Sequence, residues 1–273
     1  MPSMLMPDLR PLSIGEILDA TFAIYRRQFP QLFTIATVSL AVPYALNAYV
    51  MGRLGVADSP EDLMRLGGWL LLSMLLFAVF QAVATAATVH VVSDGYLGRT
   101  LTAGEALRRT GPAVGGLILV WLSVSLIVFF GFLFLVIPGI ILALGLAFST
   151  QALVLERVSP FNAMRRSWML AKGSKGKILL LMITVAVILF VALIGSMVAL
   201  MIVSLLVFGS PEPGALRPGL TTVIDVLTLI IQLLVFPLLP CLLTVTYYDL
   251  RVRREGFDLE VLAAAVRGPR EAP

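Results

Sequence analysis

Six long apolar stretches, each close to the roughly 20 residues that cross a hydrocarbon core about 30 Å thick, limit what this chain can fold into. They run from about Phe29 to Val50, Trp69 to Val92, Gly115 to Val136, Gly139 to Leu155, Ile178 to Phe208 and Thr222 to Thr246. Their apolar residues are continuous rather than alternating, which predicts helices that satisfy their own backbones in lipid and not barrel strands. With 59% hydrophobic and only 13% charged residues, the chain holds no stretch suited to a soluble catalytic domain. The expectation is an all-α polytopic membrane bundle. Met1 to Arg10 is short and polar and precedes no cleavage motif, so the first stretch is expected to be retained as a span. The single cysteine, Cys241, lies in an apolar run and reads as a small buried hydrophobe.

Charge orients the spans. All but Arg53, Arg65 and Arg217 of the 20 basic residues fall before span one, between spans two and three, between spans four and five, or after span six. By the positive-inside rule both termini are cytoplasmic, as for a bacterial inner-membrane protein. The opposite connections are a mixed-charge loop around Asp58, a tight bend at Ile137-Pro138-Gly139 that makes spans three and four a hairpin, and a proline-rich loop from Gly209 to Gly219. The formal charge of +4 is topological in origin, and no nucleic-acid partner follows from it.

The cytoplasmic segments resemble one another. Leu12-Ser13-Ile-Gly-Glu16 leads to Arg26 and Arg27, and Leu101-Thr102-Ala-Gly-Glu105 leads to Arg108 and Arg109. Val158-Ser159-Pro160 leads to Arg165, Arg166 and Trp168. The first two predict capping boxes; the third starts a helix through its proline. The apolar residues Ile14, Ile17, Leu18, Phe22 and Tyr25, and likewise Phe161, Met164, Trp168 and Met169, form one face of an amphipathic helix. Such helices suit the headgroup layer. The predicted architecture is one six-span domain over 1–268, a threefold repeat of interfacial helix plus hairpin with units of about 11–92, 100–156 and 158–247. A C-terminal helical segment is expected over 247–266 and a disordered tail over 268–273. Short amphipathic linkers without duplication give the same pattern.

The segment Tyr247-Tyr248-Asp249-Leu250-Arg251-Val252-Arg253-Arg254-Glu255-Gly256-Phe257-Asp258-Leu259-Glu260 resembles the C-terminal signature of the glycerophosphoryl diester phosphodiesterase membrane domain family. Leu12 to Asp19, Glu156 to Trp168 and Gly173 resemble other elements of it. The resemblance implies a membrane unit that accompanies a phosphodiesterase barrel in some members. Here the barrel and its paired histidines and acidic metal ligands have no counterpart, so the resemblance carries over no catalytic residue, metal or cofactor.

Candidate sites follow from ionisable groups near the membrane. His90 and Asp94 are four apart and suit either a proton relay or helix-end hydrogen bonding. Glu156 is expected to pair with Arg165 or Arg166, Asp249 with Arg251 or Arg253, and Asp19 with arginines of neighbouring units, as a structural ionic layer or a ligand site. With Trp168 and Tyr248 these residues face lipid headgroups, and the basic rim suits anionic phospholipids. Asn47, Gln81, Gln151, Gln232 and Asp225 are the other polar groups within the spans, and Pro43, Pro237 and Pro240 are positioned to bend spans one and six. Small-residue spacings at Gly139, Ala143 and Ala147 and at Ala82 and Ala86 fit a bundle interior or a homo-oligomer. The leading expectation is a non-enzymatic membrane protein that is structural, lipid-associated or partner-binding. A transporter or channel for a small solute or lipid is the alternative, favoured by a mid-membrane cavity lined by Asn47, Gln81 or Gln151. A membrane enzyme acting on a phosphodiester lipid is third and needs Glu156, Asp249, His90 and arginines to converge on one pocket.

Overall fold

Two capping boxes set the first helices, as their sequences dictate. The computed structural model describes residues 10–54, 59–208 and 218–256, with some side chains inside those helices left out. In α1 (Ile14–Arg27) the Ser13 hydroxyl accepts from the Glu16 N–H while the Glu16 carboxylate accepts from the Ser13 N–H. Thr102 and Glu105 repeat the arrangement at the start of α4 (Ala103–Thr110). At α8 (Pro160–Ala171) Ser159 makes no side-chain cap bond, and the helix starts on Pro160.

Between these short helices run α2 (Phe29–Leu54), α3 (Pro60–Tyr96), α5 (Val114–Phe134), α6 (Val136–Leu146), α7 (Ser149–Glu156), α9 (Lys175–Phe208), α10 (Pro218–Val235) and α11 (Leu238–Glu255). No strand occurs among the described residues. Six helical stretches are long and apolar enough to cross a membrane, and the protein is an all-α polytopic bundle. Spans three and four form the expected hairpin, turned through the single extended residue Leu135. Its legs touch at Gly131 and Gly139, where a β-carbon on Gly139 would lie 2.5 Å from the Phe132 ring.

Two spans expected to be continuous are broken. Span four divides between α6 and α7 at Ala147 and Phe148, and span six divides between α10 and α11 at Phe236 and Pro237. The second break has the proline cause the sequence suggests. The first has no proline; the Ser167 hydroxyl of α8 enters it, accepting from the Phe148 N–H at 3.0 Å and donating to the Gly145 carbonyl at 2.8 Å. Tyr25 of α1 does the comparable thing at the other break, donating to the Leu234 carbonyl at 2.6 Å. Helix α11 ends at Gly256, which adopts a left-handed φ of 62°. The helix and tail expected beyond it lie outside the described residues.

The buried register is the same in all three short helices. The residues four and eight past each cap are buried: Ile17 and Thr21, Ala106 and Thr110, Ala163 and Ser167. This corrects the face expected for α8. Only Met164 of that set is buried, while Phe161 and Met169 are exposed, because small residues let α8 press close to α6 and α7. Trp168 lies half outside with its indole against Gly145, where a β-carbon would come within 2.2 Å of the ring. The core concentrates toward the end of the bundle where these helices dock, around Phe148, Tyr247, Leu170, Ile17 and Leu242. Farther along the spans, residues such as Phe130, Leu133, Phe190 and Val191 are exposed, the surface that hydrocarbon covers.

Candidate functional site

Each short helix is held by an acidic residue at the end of a span. Asp249 of α11 is wholly buried. Its Oδ1 accepts from the Leu12 backbone N–H at 2.7 Å, and its carboxylate accepts from Lys177 Nζ at 2.7 Å and Arg253 Nε at 3.0 Å. Lys177 and Arg253 also donate to the Leu12 carbonyl, at 2.8 and 2.6 Å. The chain entering α1 is thus clamped to the end of span six and the start of α9. Arg253 is one of the two partners expected for Asp249; Arg251 belongs elsewhere.

Glu156 at the end of α7 receives Arg166 of α8, whose Nε lies 2.8 and 2.9 Å from its two oxygens, and also the Tyr247 hydroxyl. Arg166 Nη2 reaches on to Glu255 at 2.6 Å, and Arg251 donates to Glu255 at 3.2 Å. Burial pulls the Arg166 guanidinium down, but its hydrogen bonds to the Glu255 and Glu156 carboxylates outweigh it and hold the group above its ordinary value. Such charge-assisted bonds in a half-buried place are among the stronger polar contacts available.

The third acid, Asp94 at the end of α3, accepts from Arg109 of α4 at 3.0 Å. His90, one turn away and half-buried, makes no hydrogen bond to Asp94, so the relay geometry is not formed. Tyr248 stacks on Tyr96 with ring centroids 5.1 Å apart, and its hydroxyl lies 2.6 Å from Ser93 Oγ. Trp168 carries Lys175 Nζ over its ring at 3.8 Å. Arg165 and Asp19 are exposed and form no ion pair among the described residues: Arg166 is the arginine that takes Glu156, as one of the two expected, and the pairing expected for Asp19 is not formed. Sequence reasoning missed Lys177, Tyr247, Ser93 and Glu255 as members of these clusters. The opposed Glu255 and Arg251, four apart on one helix, were the available signal. Glu156 and Asp249 belong to separate hydrogen-bonded clusters, and no group of metal-ligating side chains occurs among the described residues.

A second constellation lies within the spans. A cavity of about 620 Å³ opens between α2, α3, α5 and α10, with Tyr44, Asn47, Gln81, Trp121 and Gln232 as its polar lining. At about 1.5 Å per residue, Gln81 is about 22 Å along α3 from Tyr96, and Tyr44 a similar distance along α2 from Phe29. Gln81 is therefore midway along the Met64–Tyr96 span, and Asn47 is the last residue of the Phe29–Asn47 span. Tyr44 donates to Gln232, and its ring meets Phe77 edge-on at 5.6 Å. The side chains of Asn47 and Gln81 make no hydrogen bond to any described residue. Gln151 does not reach this cavity; it is buried in α7 with Oε1 unpartnered among the described residues. The side chain of Asp225 is outside the described set.

Comparison with known proteins covers part of the chain. A family model described as a domain of unknown function, DUF7847, matches residues 60–250. A UPF0259 membrane protein of Photorhabdus laumondii is 24% identical over 193 residues, covering 59% of this chain and 72% of that protein. Another UPF0259 membrane protein, from Pectobacterium carotovorum, is 32% identical over 143 residues; the match covers 52% of this chain and about half, 53%, of that relative. No solved structure matches.

Proposed function

We propose, for a chain that belongs to the DUF7847 family of unknown function, a role as a non-enzymatic, lipid-associated membrane protein whose basic end rests on anionic headgroups at the cytoplasmic surface. The observation that carries this reading is how charge is used at that end. Asp94, Glu156 and Asp249 hold helices in place, while Arg26, Arg27, Arg108 and Arg165 stand exposed on those same helices. The carboxylates that a general acid or base would need are occupied by structural partners. An exposed arginine near an anionic surface contributes about 1 kcal/mol of attraction, and four on one face make a salt-sensitive platform. Relatives described as membrane proteins support the same reading, as does the resemblance of the Tyr247 segment to a membrane domain that some proteins carry beside a phosphodiesterase barrel.

The test is native mass spectrometry from nanodiscs holding equal phosphatidylglycerol and phosphatidylcholine. Retained lipid enriched in phosphatidylglycerol, with the enrichment lost in an R26Q/R27Q/R108Q/R165Q variant, is expected; equal retention of both lipids in the parent protein overturns the reading. Orientation is checked with Lys175→Cys in whole cells, where labelling by an impermeant maleimide would place the basic end outside.

A transporter or channel is the second reading, and the cavity bounded by Asn47 and Gln81 is the observation that favours it.

A further inference from the structure

We propose that the cavity between α2, α3, α5 and α10 is a binding site for an uncharged lipid bearing hydroxyl and ester groups, entering sideways from the bilayer. This goes beyond the headgroup platform, which lies at the other end of the spans and selects for negative charge.

Unmet hydrogen bonding is the first argument. Gln81 lies midway along the Met64–Tyr96 span, where no bulk water solvates a carboxamide, while Asn47 closes the Phe29–Asn47 span at its far end; an unsatisfied amide in an apolar medium is costly. Neither side chain finds a partner among the described residues, and Gln232, which accepts from Tyr44, lines the same cavity. Three carboxamides, one each from α2, α3 and α10, offer several donors and call for an occupant with acceptors.

Charge is the second argument. Among the described residues no Asp, Glu, Lys, Arg or His lines the cavity, so a charged occupant finds no counter-ion among them. Esters and hydroxyls suit the amides; a phosphate does not.

The mouth is the third argument. Leu71, Met74 and Leu75 line the cavity and are also exposed on the flank of α3, as Trp121 is on α5. The opening is therefore in the hydrocarbon layer and flanked by apolar side chains. A water-borne solute has no route through such a mouth, whereas a lipid whose tails stay in the bilayer does. A volume of about 620 Å³ is within the ordinary range for small-ligand sites and takes a glycerol ester head with the first part of its tails.

The experiment uses the full chain in nanodiscs with diacylglycerol carrying a diazirine in its acyl chain, against phosphatidylcholine with the same tail group at equal mole fraction. Diacylglycerol is expected to label the α3 segment holding Met74 and Leu75 or the α5 segment holding Trp121 in excess of phosphatidylcholine, and unlabelled diacylglycerol should displace it. In an Asn47→Leu/Gln81→Leu variant that elutes as the parent does, the excess should fall about fivefold, the effect of losing about one net hydrogen bond. Equal labelling by both probes would mean ordinary boundary lipid and overturn the proposal. So would an excess that survives the double substitution. Because the displacement is read on the unsubstituted protein, it does not depend on how the variant folds, and retention of phosphatidylglycerol at the basic end is measured separately.

Discussion

The basic end of the bundle and the cavity within its spans treat polar side chains in opposite ways. At the basic end Asp249 takes four hydrogen bonds from three donors, and Glu156 is held by Arg166 and Tyr247. In the cavity Asn47 and Gln81 are left without partners among the described residues, where an amide is most costly. A saturated cluster has little capacity left for a ligand and reads as structure; an unsaturated one at depth reads as a place kept for something else. The carboxylates at the basic end are taken up in structure, and under the two proposals above the exposed arginines and the cavity amides are the groups left for ligands.

Substitutions at the two regions should therefore have opposite effects on stability. Asp249→Ala leaves Lys177, Arg253 and the Leu12 N–H facing an empty buried site, and removing one partner of a buried pair costs about 3–5 kcal/mol. The expected outcome is loss of a monodisperse peak in detergent or a sharply lower thermal midpoint. Glu156→Gln keeps a hydrogen-bonding shape but leaves Arg166 with Glu255 alone, so a smaller loss of about 1–3 kcal/mol is expected by the same measurement. A mild Asp249→Ala would mean the basic end is not what holds α1 and α9 together, and the contrast with the cavity would collapse.

The six apolar stretches, the hairpin between spans three and four and the two capping boxes were legible because they rest on local rules: apolar length, proline and glycine, and Ser or Thr followed by Glu; the turn itself falls at Leu135, and the expected Ile137-Pro138-Gly139 bend lies inside α6. The break in span four was not. Gly145 to Ser149 has no proline, and what divides the helix is a hydroxyl from Ser167, beyond the intervening α7. Asp249 and Glu156 were recognisable as acids near arginines, but Lys177 and Tyr247 join them only through helix packing. Asn47 and Gln81 were visible as polar residues in apolar runs; that they share a cavity depends on how α2 and α3 cross.

Ser167→Ala tests whether the hydroxyl maintains that break. It removes one acceptor and one donor from buried backbone groups, and a loss of about 1–3 kcal/mol in unfolding free energy is expected, with faster hydrogen exchange at the Phe148 amide. In the other region, Asn47→Leu and Gln81→Leu are expected to leave the thermal midpoint unchanged or raise it by up to about 1 kcal/mol equivalent, since each removes an unpaired amide from hydrocarbon. A fall in midpoint there would show that the amides are structurally employed and would bring the two regions back together.

The smallest effect belongs to Glu16, which lies at the exposed edge of the basic end. The Ser13 backbone N–H, the Ser13 hydroxyl and Arg10 hold its carboxyl down to about 2. A lowered folded-state value means that its contribution to the α1 cap is fully present above the ordinary carboxylate range and is lost as pH falls toward 2. Hydrogen exchange at the Ser13 and Glu16 amides, corrected for its intrinsic pH dependence, should therefore be flat from pH 7 to 5 and rise on further acidification. Glu16→Gln keeps a side-chain oxygen for the Ser13 N–H, so the cap should survive while the acid-dependent rise disappears. An acid-dependent rise that persists in Glu16→Gln would show that Glu16 is not the group that sets the acid sensitivity of the α1 cap.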